Sequence, residues 1–248
     1  GSRGVVMGNS TCFPVSMARG ATFNDELEYE VGTAIAKETI AGDANYFAGI
    51  CINLLRNPRW GRAQETYGED PFLLGKMGAA LTRAVQDNGV IACPKHFACN
   101  SIENIRFSVD VHADEKTLQE VYFPHFKKCI DAGAMSIMGA YNLLRGEHCC
   151  ESRYLLTDVL RGQWHFEGFA ITDFLFALRN GEKAIKAGMD VEMPMKILYT
   201  ALPIYLKSGK ISQRDIDTAV QNVLAGLIKI TPKIKRQSKD VIACKAHA

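Results

Sequence analysis

Three short apolar runs of this chain each end on side chains capable of chemistry. Val90-Ile91-Ala92-Cys93 leads into Lys95-His96, Met135-Ser136-Ile137-Met138 into Tyr141-Asn142, and Gly168-Phe169-Ala170-Ile171 into Thr172-Asp173. Each run has the length of a buried parallel strand. A carboxylate at the end of such a strand costs free energy unless it is paired or used. Asp173 therefore reads as a nucleophile or general base, or else as the N-cap of the segment behind it. Lys95 and His96 are neighbours, and on a regular strand they would face opposite ways. Pro94 gives the chain a reason to leave strand geometry there, which would let both enter one pocket. A buried lysine needs an ion pair, a substrate to clamp or a Schiff base to form. His96 alone also fits a hydrogen-bonded core histidine.

A second constellation lies upstream. Arg56, Arg59 and Arg62 bracket Trp60, and Glu65, Glu69 and Asp70 follow closely. The carboxylates neutralise the arginines, so a neutral polar ligand fits better than a phosphate. Arginine forks bind hydroxyl rims and tryptophan covers apolar C–H faces, a combination suited to sugars; the alternative is a self-neutralised surface loop. Asp190 and Glu192 are two apart and share a strand face; they read as buried partners for Arg or Lys rather than as a catalytic pair. Met138, Met189, Met193 and Met195 read as core or pocket lining.

These residues need elements to hold them. Asn24 fits an N-cap ahead of Leu27, Val31, Ala34 and Ile35 at helical spacing. Tyr46 to Leu54 reads as a strand. Asp70-Pro71 places a cap and an N1 proline before a helix whose apolar face is Leu74, Met77, Leu81 and Val85. A strand at 90–93 follows. Asp114 can cap a helix carrying Leu118, Val121, Tyr122, Phe126, Cys129 and Ile130, which Pro124 must kink or split. Then come a strand over 134–140, a turn at Gly146, a helix over 152–163, a strand over 168–172, a helix over 175–186 and a strand over 188–192. Two helices close the chain. The second has Ser212 as N-cap, Asp215 at capping-box spacing, and a face of Ile216, Ala219, Val220, Val223, Leu224, Leu227 and Ile228. Residues 232–248 turn basic and polar and read as a solvated linker.

Strands alternating with helices are the mark of parallel α/β architecture. The 248 residues come close to the roughly 250 of a one-domain barrel. About five strand-like runs stand against the eight of a closed barrel. The expected fold is thus a TIM-type (β/α)8 barrel over residues 1–231, incomplete or truncated at its N-terminal end. In such a barrel the strand ends open on one face, where chemistry is done.

Composition narrows the class. A formal charge of +2, with no basic stripe interleaved with aromatics, argues against nucleic acid. No apolar stretch approaches the roughly 20 residues of a membrane span. The eight cysteines form no CxxC pair, so no metal site is expected. Cys51, Cys93 and Cys129 sit inside apolar runs as core residues, which leans towards a reducing, cytoplasmic compartment. The vicinal Cys149-Cys150 reads as two unlinked thiols, since adjacent residues rarely meet disulfide geometry.

Taken together the words resemble a known family. Asn57-Pro58-Arg59-Trp60-Gly61-Arg62, then Glu65 and Gly68-Glu69-Asp70-Pro71, resembles the signature of glycoside hydrolase family 3, the β-glucosidase-type enzymes. Lys95-His96-Phe97-Ala98, Ala140-Tyr141-Asn142, Leu160-Arg161-Gly162-Gln163-Trp164 and Gly168-Phe169-Ala170-Ile171-Thr172-Asp173 follow in that family's order. Ala187-Gly188-Met189-Asp190 with Met193-Pro194 extends the match, which runs from about Arg3 to Ala248. The resemblance implies a retaining, exo-acting hydrolase that removes a terminal β-linked, glucose-like sugar through a covalent glycosyl intermediate on Asp173. It implies that Arg62, Lys95, His96, Arg106 and Tyr141 hold the sugar, with Met138 lining the same subsite. It implies no cofactor.

Several positions depart from the family pattern. Phe174 stands where the family commonly has Trp; it keeps an apolar face but loses area and the indole donor. A sugar-binding aspartate usually precedes a Gly-Pro-Arg-Gly-Val-like stretch, whereas this chain starts Gly1-Ser2-Arg3-Gly4-Val5. The general acid commonly comes from a following α/β sandwich domain, so a further domain or a second chain is the expected partner and the chain alone is expected to be poorly active. One branch of the family uses a loop histidine as acid, but Cys99-Asn100-Ser101 does not match its sequence. Two rival readings are a Schiff-base lyase using Lys95 and a catalytically impaired carbohydrate-binding or assembly module.

Overall fold

The structure, a computed structural model, describes residues 10–247; readings placed on residues 1–9 and on Ala248 lie outside the described residues. A short helix α1 (Ser16–Gly20) leads into α2 (Asp25–Ala41), which Asn24 caps by accepting from the Leu27 amide at 3.0 Å. Strand β1 (Tyr46–Cys51) follows, and then α3 (Pro71–Asp87), where the Asp70 carboxylate accepts from the amides of Phe72 and Leu73. The expected apolar face of α3 is buried as read. Gly78 lets α3 approach closely: a Cβ there would stand 2.9 Å from both Ile52 Cγ2 and Cys129 Sγ.

Strand β2 (Ile91–Phe97) and the two-residue β3 (Asp110–Val111) come next. The segment that Asp114 caps is broken ahead of Pro124, as its ring and missing N–H require. It runs as α4 (Glu115–Thr117), a wide π-helical turn over Leu118–Tyr122, and α5 (Pro124–Asp131). Strand β4 (Ser136–Gly139) precedes a hairpin of β5 (Leu143–Leu144) and β6 (Glu147–His148). Arg145 and Gly146 both take positive φ between them, the backbone that a two-residue hairpin requires. A π-helical segment (Tyr154–Gln163) leads to β7 (Phe169–Ile171), α6 (Gly181–Ala187), α7 (Leu202–Lys207) and α8 (Gln213–Ile230). Both halves of the capping box between Ser212 and Asp215 are formed.

The main sheet has the order β1-β2-β4-β7, every pairing parallel. A single parallel bridge from Ile171 to Val191 extends it. Alternate residues face opposite sides. Ala92, Ile137 and Ala170 join the core under α3 and α5, whereas Ile91, Cys93, Met138, Phe169 and Ile171 join Ile230, Val223 and Leu227 of α8. Strands buried on both faces explain why they read as continuous apolar runs.

The α/β architecture with a parallel sheet is as expected, and among the described residues the sheet has four strands and is not closed. Three expectations need correction. The strand expected over 188–192 contributes one bridge only, because Asp190 turns its carboxylate back to the Ala170 amide. The helix expected over 175–186 begins at Gly181: Leu175 and Phe176 have positive φ, which no helix accommodates, and Asn180 supplies the cap. The apolar face of α8 is only half covered, with Val220, Leu224 and Ile228 open to solvent.

The tail is not free coil. It forms short turns over Thr231–Lys233, Lys239–Val241 and Lys245–His247. Glu38 of α2, fully buried, accepts from the amides of Thr11 and Ala243, both at 3.0 Å, and meets His247 Nδ1 at 2.8 Å. The carboxylate thus ties α2 to a tail residue 205 positions further along the chain. All eight cysteines are free.

Candidate active site

Four neighbouring strands each deliver one polar side chain at or just past the carboxyl end: Asn53 after β1, His96 in β2, Tyr141 after β4 and Asp173 after β7. That end of a parallel sheet is where loops diverge and leave room for a ligand. Lys95 and His96 reach this end together because regular strand geometry fails there. The pairing with β4 shifts register between Lys95 and Phe97.

Asn53, which the sequence reading passed over, organises the centre. It is 1% exposed. Its Oδ1 accepts from the His96 amide at 2.8 Å and its Nδ2 donates to the His96 carbonyl at 2.8 Å. These two bonds assign the orientation of the amide. The same Oδ1 lies 2.9 Å from His96 Nδ1. An amide oxygen only accepts, so Nδ1 must carry the hydrogen. Burial, then the positive charges of Arg62, Lys95 and Arg106, push the His96 pKa well below its ordinary value. The ring is neutral and its Nε2 presents a lone pair.

That lone pair faces Asp173 Oδ2 at 3.4 Å, and Oδ2 is buried without a hydrogen-bond partner. Oδ1 of the same carboxylate accepts from the Phe174 amide at 2.7 Å. Two acceptors thus face each other with no hydrogen to share, and a ligand hydroxyl beside them, with its single hydrogen, would satisfy one of the two. Burial raises the Asp173 pKa above the usual carboxylate value; the Phe174 amide, Lys95, Arg62 and Arg106 pull against it.

The cations are held in different ways. Arg62 forms a two-pronged pair with Glu65 at 2.9 and 2.8 Å. Burial pushes the Glu65 carboxyl up, but the hydrogen bonds and charge of Arg62 more than offset it and leave its pKa lowered. Arg106 binds Glu103 at 2.9 Å and lies over the rings of Tyr141 (4.4 Å) and Phe107 (4.9 Å). Glu103 also accepts from the Trp60 indole at 3.2 Å, tying the arginine-rich loop to the site. Lys95 is half-buried, and no described carboxylate lies within ion-pair distance of it. Its charge reaches Asp173, His96 and Glu65.

Tyr141 is buried and donates its hydroxyl to the Phe174 carbonyl. Burial and the nearby Asp173 charge raise its pKa. Phe174, the residue after Asp173, is 45% exposed. Met138 is packed in the core beside Ile171 and pairs in register with Lys95. Arg56 instead donates to the Tyr122 hydroxyl, so the arginine trio does not converge as a unit. Asp190 is the buried ion-pair partner anticipated: Arg161 reaches it at 2.7 Å, Asn222 at 2.8 Å and the Ala170 amide at 2.7 Å. Glu192 has no Arg or Lys partner among the described residues; it accepts from the amides of Ile197, Leu198 and Tyr199.

Residues 1–225 match the family described as glycosyl hydrolase family 3 N terminal domain. The chain is 38% identical over 218 residues to thermostable beta-glucosidase B of Acetivibrio thermocellus, covering 87% of this chain and 29% of that protein. It is 35% identical over 225 residues to beta-glucosidase B of Emericella nidulans, covering 89% and 26%. Among solved structures, beta-glucosidase 3B from Thermotoga neapolitana in complex with glycerol superposes with a TM-score of 0.90 at 34% identity, over 97% of this chain and 35% of that one. DesR, a beta-glucosidase from Streptomyces venezuelae in complex with D-glucose, gives 0.90 at 31% identity, over 97% and 33%. The chain therefore spans less than a third of the length of these curated relatives, and with its strand-end carboxylate, paired arginines and ordered motifs it belongs to glycosyl hydrolase family 3, as the N-terminal domain of that family.

Proposed function

We propose that this chain carries the sugar-binding half of a retaining β-glucosidase-like active site. The observation that carries the reading is the buried, unpartnered Asp173 Oδ2, set against a lone pair and inside the field of three cations. A group left unsatisfied in a folded protein calls for an explanation, and a bound hydroxylated ring supplies one. In this reading Asp173 attacks the anomeric carbon and forms a glycosyl ester, and water then releases the sugar. Arg62, Lys95, Arg106 and His96 hold hydroxyls through bonds that tighten as positive charge develops on the ring. Tyr141 braces the Asp173–Phe174 backbone through its hydroxyl. Phe174 flanks the entrance, and Met138 supports the floor.

Retaining hydrolysis also needs a second carboxyl group about 5–5.5 Å from the nucleophile to protonate the leaving group. Glu65 and Glu103 are tied to Arg62 and Arg106. The acid therefore comes, in this proposal, from another domain of the polypeptide or from a second chain. We read the open sheet as an arc of a (β/α)8 barrel, supported by the superposition on the Thermotoga enzyme, and residues 232–248 as the start of a connection to a further domain. A terminal, β-linked glucose-like sugar is the proposed substrate, supported by relatives named beta-glucosidase and by similar structures that hold glucose.

The test is trapping with a 2-deoxy-2-fluoro glycoside bearing a leaving group that needs no protonation. Peptide mapping is expected to place the label on Asp173 and to find none in Asp173→Asn. Label on another carboxylate, with Asp173→Asn fully labelled, refutes the assignment.

A further inference from the structure

A cavity in the helical layer contains none of the strand-end groups. It has a volume of about 460 Å³, within the roughly 300–1,000 Å³ of small-molecule sites, and lies between the start of α3, the π-helical turn and α5. Both stretches of π-helix reach it, one through Gln119 and Glu120 and the other through Trp164, which caps its end. Such turns are rare and recur at functional sites. Gln119 donates to Gln163, the neighbour of Trp164, at 3.3 Å and so joins the two stretches. Gly75 lets α3 and α5 close up: a Cβ there would stand 2.9 Å from Lys128 Cδ and 3.1 Å from His125 Cα. Lys128 thereby lies over the Phe72 ring, 3.8 Å from its centroid.

The walls combine rings with a few polar groups. Trp164 and Phe123 are buried and meet edge-on at 5.7 Å, while Phe72 is 66% exposed. No acceptor among the described residues takes the Trp164 indole N–H, and that nitrogen is not among the buried atoms sealed from solvent. A tryptophan N–H in a side chain only 8% exposed ordinarily has a partner. Glu120 is exposed and has no hydrogen-bond or ion-pair partner among the described residues. Gln119 donates to Glu115 and Gln163 through its nitrogen, which leaves its oxygen free to accept. The charges nearly cancel. Lys127 and Asp131 bind each other, Asp70 is engaged by the amides of Phe72 and Leu73, and Lys128 stands against Glu120. A phosphate or a metal cation thus meets no excess of opposite charge. A neutral ring with apolar C–H faces and a rim of hydroxyls fits each feature. Its face packs on Phe72, one hydroxyl oxygen accepts from the Trp164 indole, and others donate to Glu120 and Gln119. We propose that this cavity is a second, non-catalytic carbohydrate site that holds one sugar unit. It goes beyond the glycosidase reading and needs no step at Asp173.

The experiment is a titration of the isotope-labelled whole chain with methyl β-D-glucoside, followed by proton–nitrogen correlation spectroscopy. The chain has two tryptophans, so two indole signals appear, and Trp164→Phe identifies them. Trp60, bonded to Glu103, reports on the strand-end pocket. The Trp164 signal is expected to move along a saturable curve with a Kd of about 1 mM, the affinity that ordinary ligand efficiency gives so small a molecule. Phe72→Ala is expected to weaken that curve about fivefold, the worth of one ring contact, and to leave the Trp60 curve as it was. Glu120→Ala is expected to weaken it as well. A Trp164 signal that stays still in folded chain overturns this site, and it does so without touching the catalytic reading if Trp60 moves in the same titration. A Trp164 curve that follows Trp60 and ignores both substitutions also overturns it, as an echo of the other pocket. Inorganic phosphate or phenol moving Trp164 where the glucoside does not overturns the ligand class.

Discussion

Consider replacing Asp173 by asparagine, a change of one atom in shape and of one charge. Oδ1 can still accept from the Phe174 amide, as it does at 2.7 Å. The second position becomes an N–H donor aimed at the His96 Nε2 lone pair, where two acceptors now stand 3.4 Å apart. A new buried hydrogen bond contributes about 0.5–1.5 kcal/mol. The substitution also removes a carboxylate whose ionisation burial opposes more strongly than the Phe174 amide and the three cations favour it, as its raised pKa records. Together these make Asp173→Asn more stable by about 1–2 kcal/mol at neutral pH, or about 2–8 °C in Tm for a chain of this length. The pH dependence follows from the sign of the shift. Folded Asp173 holds its proton more tightly than the unfolded chain does, so the wild type loses stability as pH rises above the ordinary carboxylate range. The cost is fully present at neutral pH and absent in acid. Thermal or urea unfolding at pH 7 should show the gap, and it should narrow towards about pH 4. A variant less stable than wild type at pH 7, or a gap that ignores pH, would refute the account of the pocket floor.

Further outcomes follow from other buried polar groups. Asn53→Ala removes the three contacts that hold the His96 backbone and tautomer; urea denaturation should show a loss of about 2–4 kcal/mol, and fluoro-glycoside labelling of Asp173 should slow. Arg161→Met leaves the Asp190 carboxylate buried without its cation and should cost about 3 kcal/mol. Burial already pushes Asp190 up to about 6 against the pull of Arg161, so the loss should be larger at pH 8 than at pH 5. At Glu38, burial pushes the carboxyl up, but the hydrogen bonds from Thr11, His247 and Ala243 prevail and hold its pKa below the ordinary value. Its contribution is present above the unfolded value and is lost as pH falls through the folded one. Amide exchange at Ala243, corrected for intrinsic rate, should accelerate in acid, and Glu38→Ala should show that acceleration already at neutral pH.

The local elements were legible because their signals are local. Asn24, Asp70 and Ser212 cap helices where their types and spacing said they would, and Pro124 breaks its helix for a reason carried by its own ring. The segment after Asp173 misled because helical spacing over 175–186 takes no account of φ, and positive φ at Leu175 and Phe176 has no sequence signature when the residues are not glycine. The apolar face of α8 was found but not its exposure, since pattern marks a face without saying what covers it.

Strand-end position alone singled out Lys95, His96, Tyr141 and Asp173, because a costly polar group at the close of an apolar run is visible in one dimension. What those groups do to one another was settled in three. Asn53 is an ordinary asparagine until folding sets it against His96 from 43 residues away. Glu103 is an ordinary surface acid until it holds Trp60 and Arg106 together. Residue types and order determined which chemical groups the sheet edge would carry. Only the tertiary structure decided the proton position on His96, the unsatisfied oxygen of Asp173 and the pairing of each arginine, because such properties depend on distances between segments that no local pattern encodes.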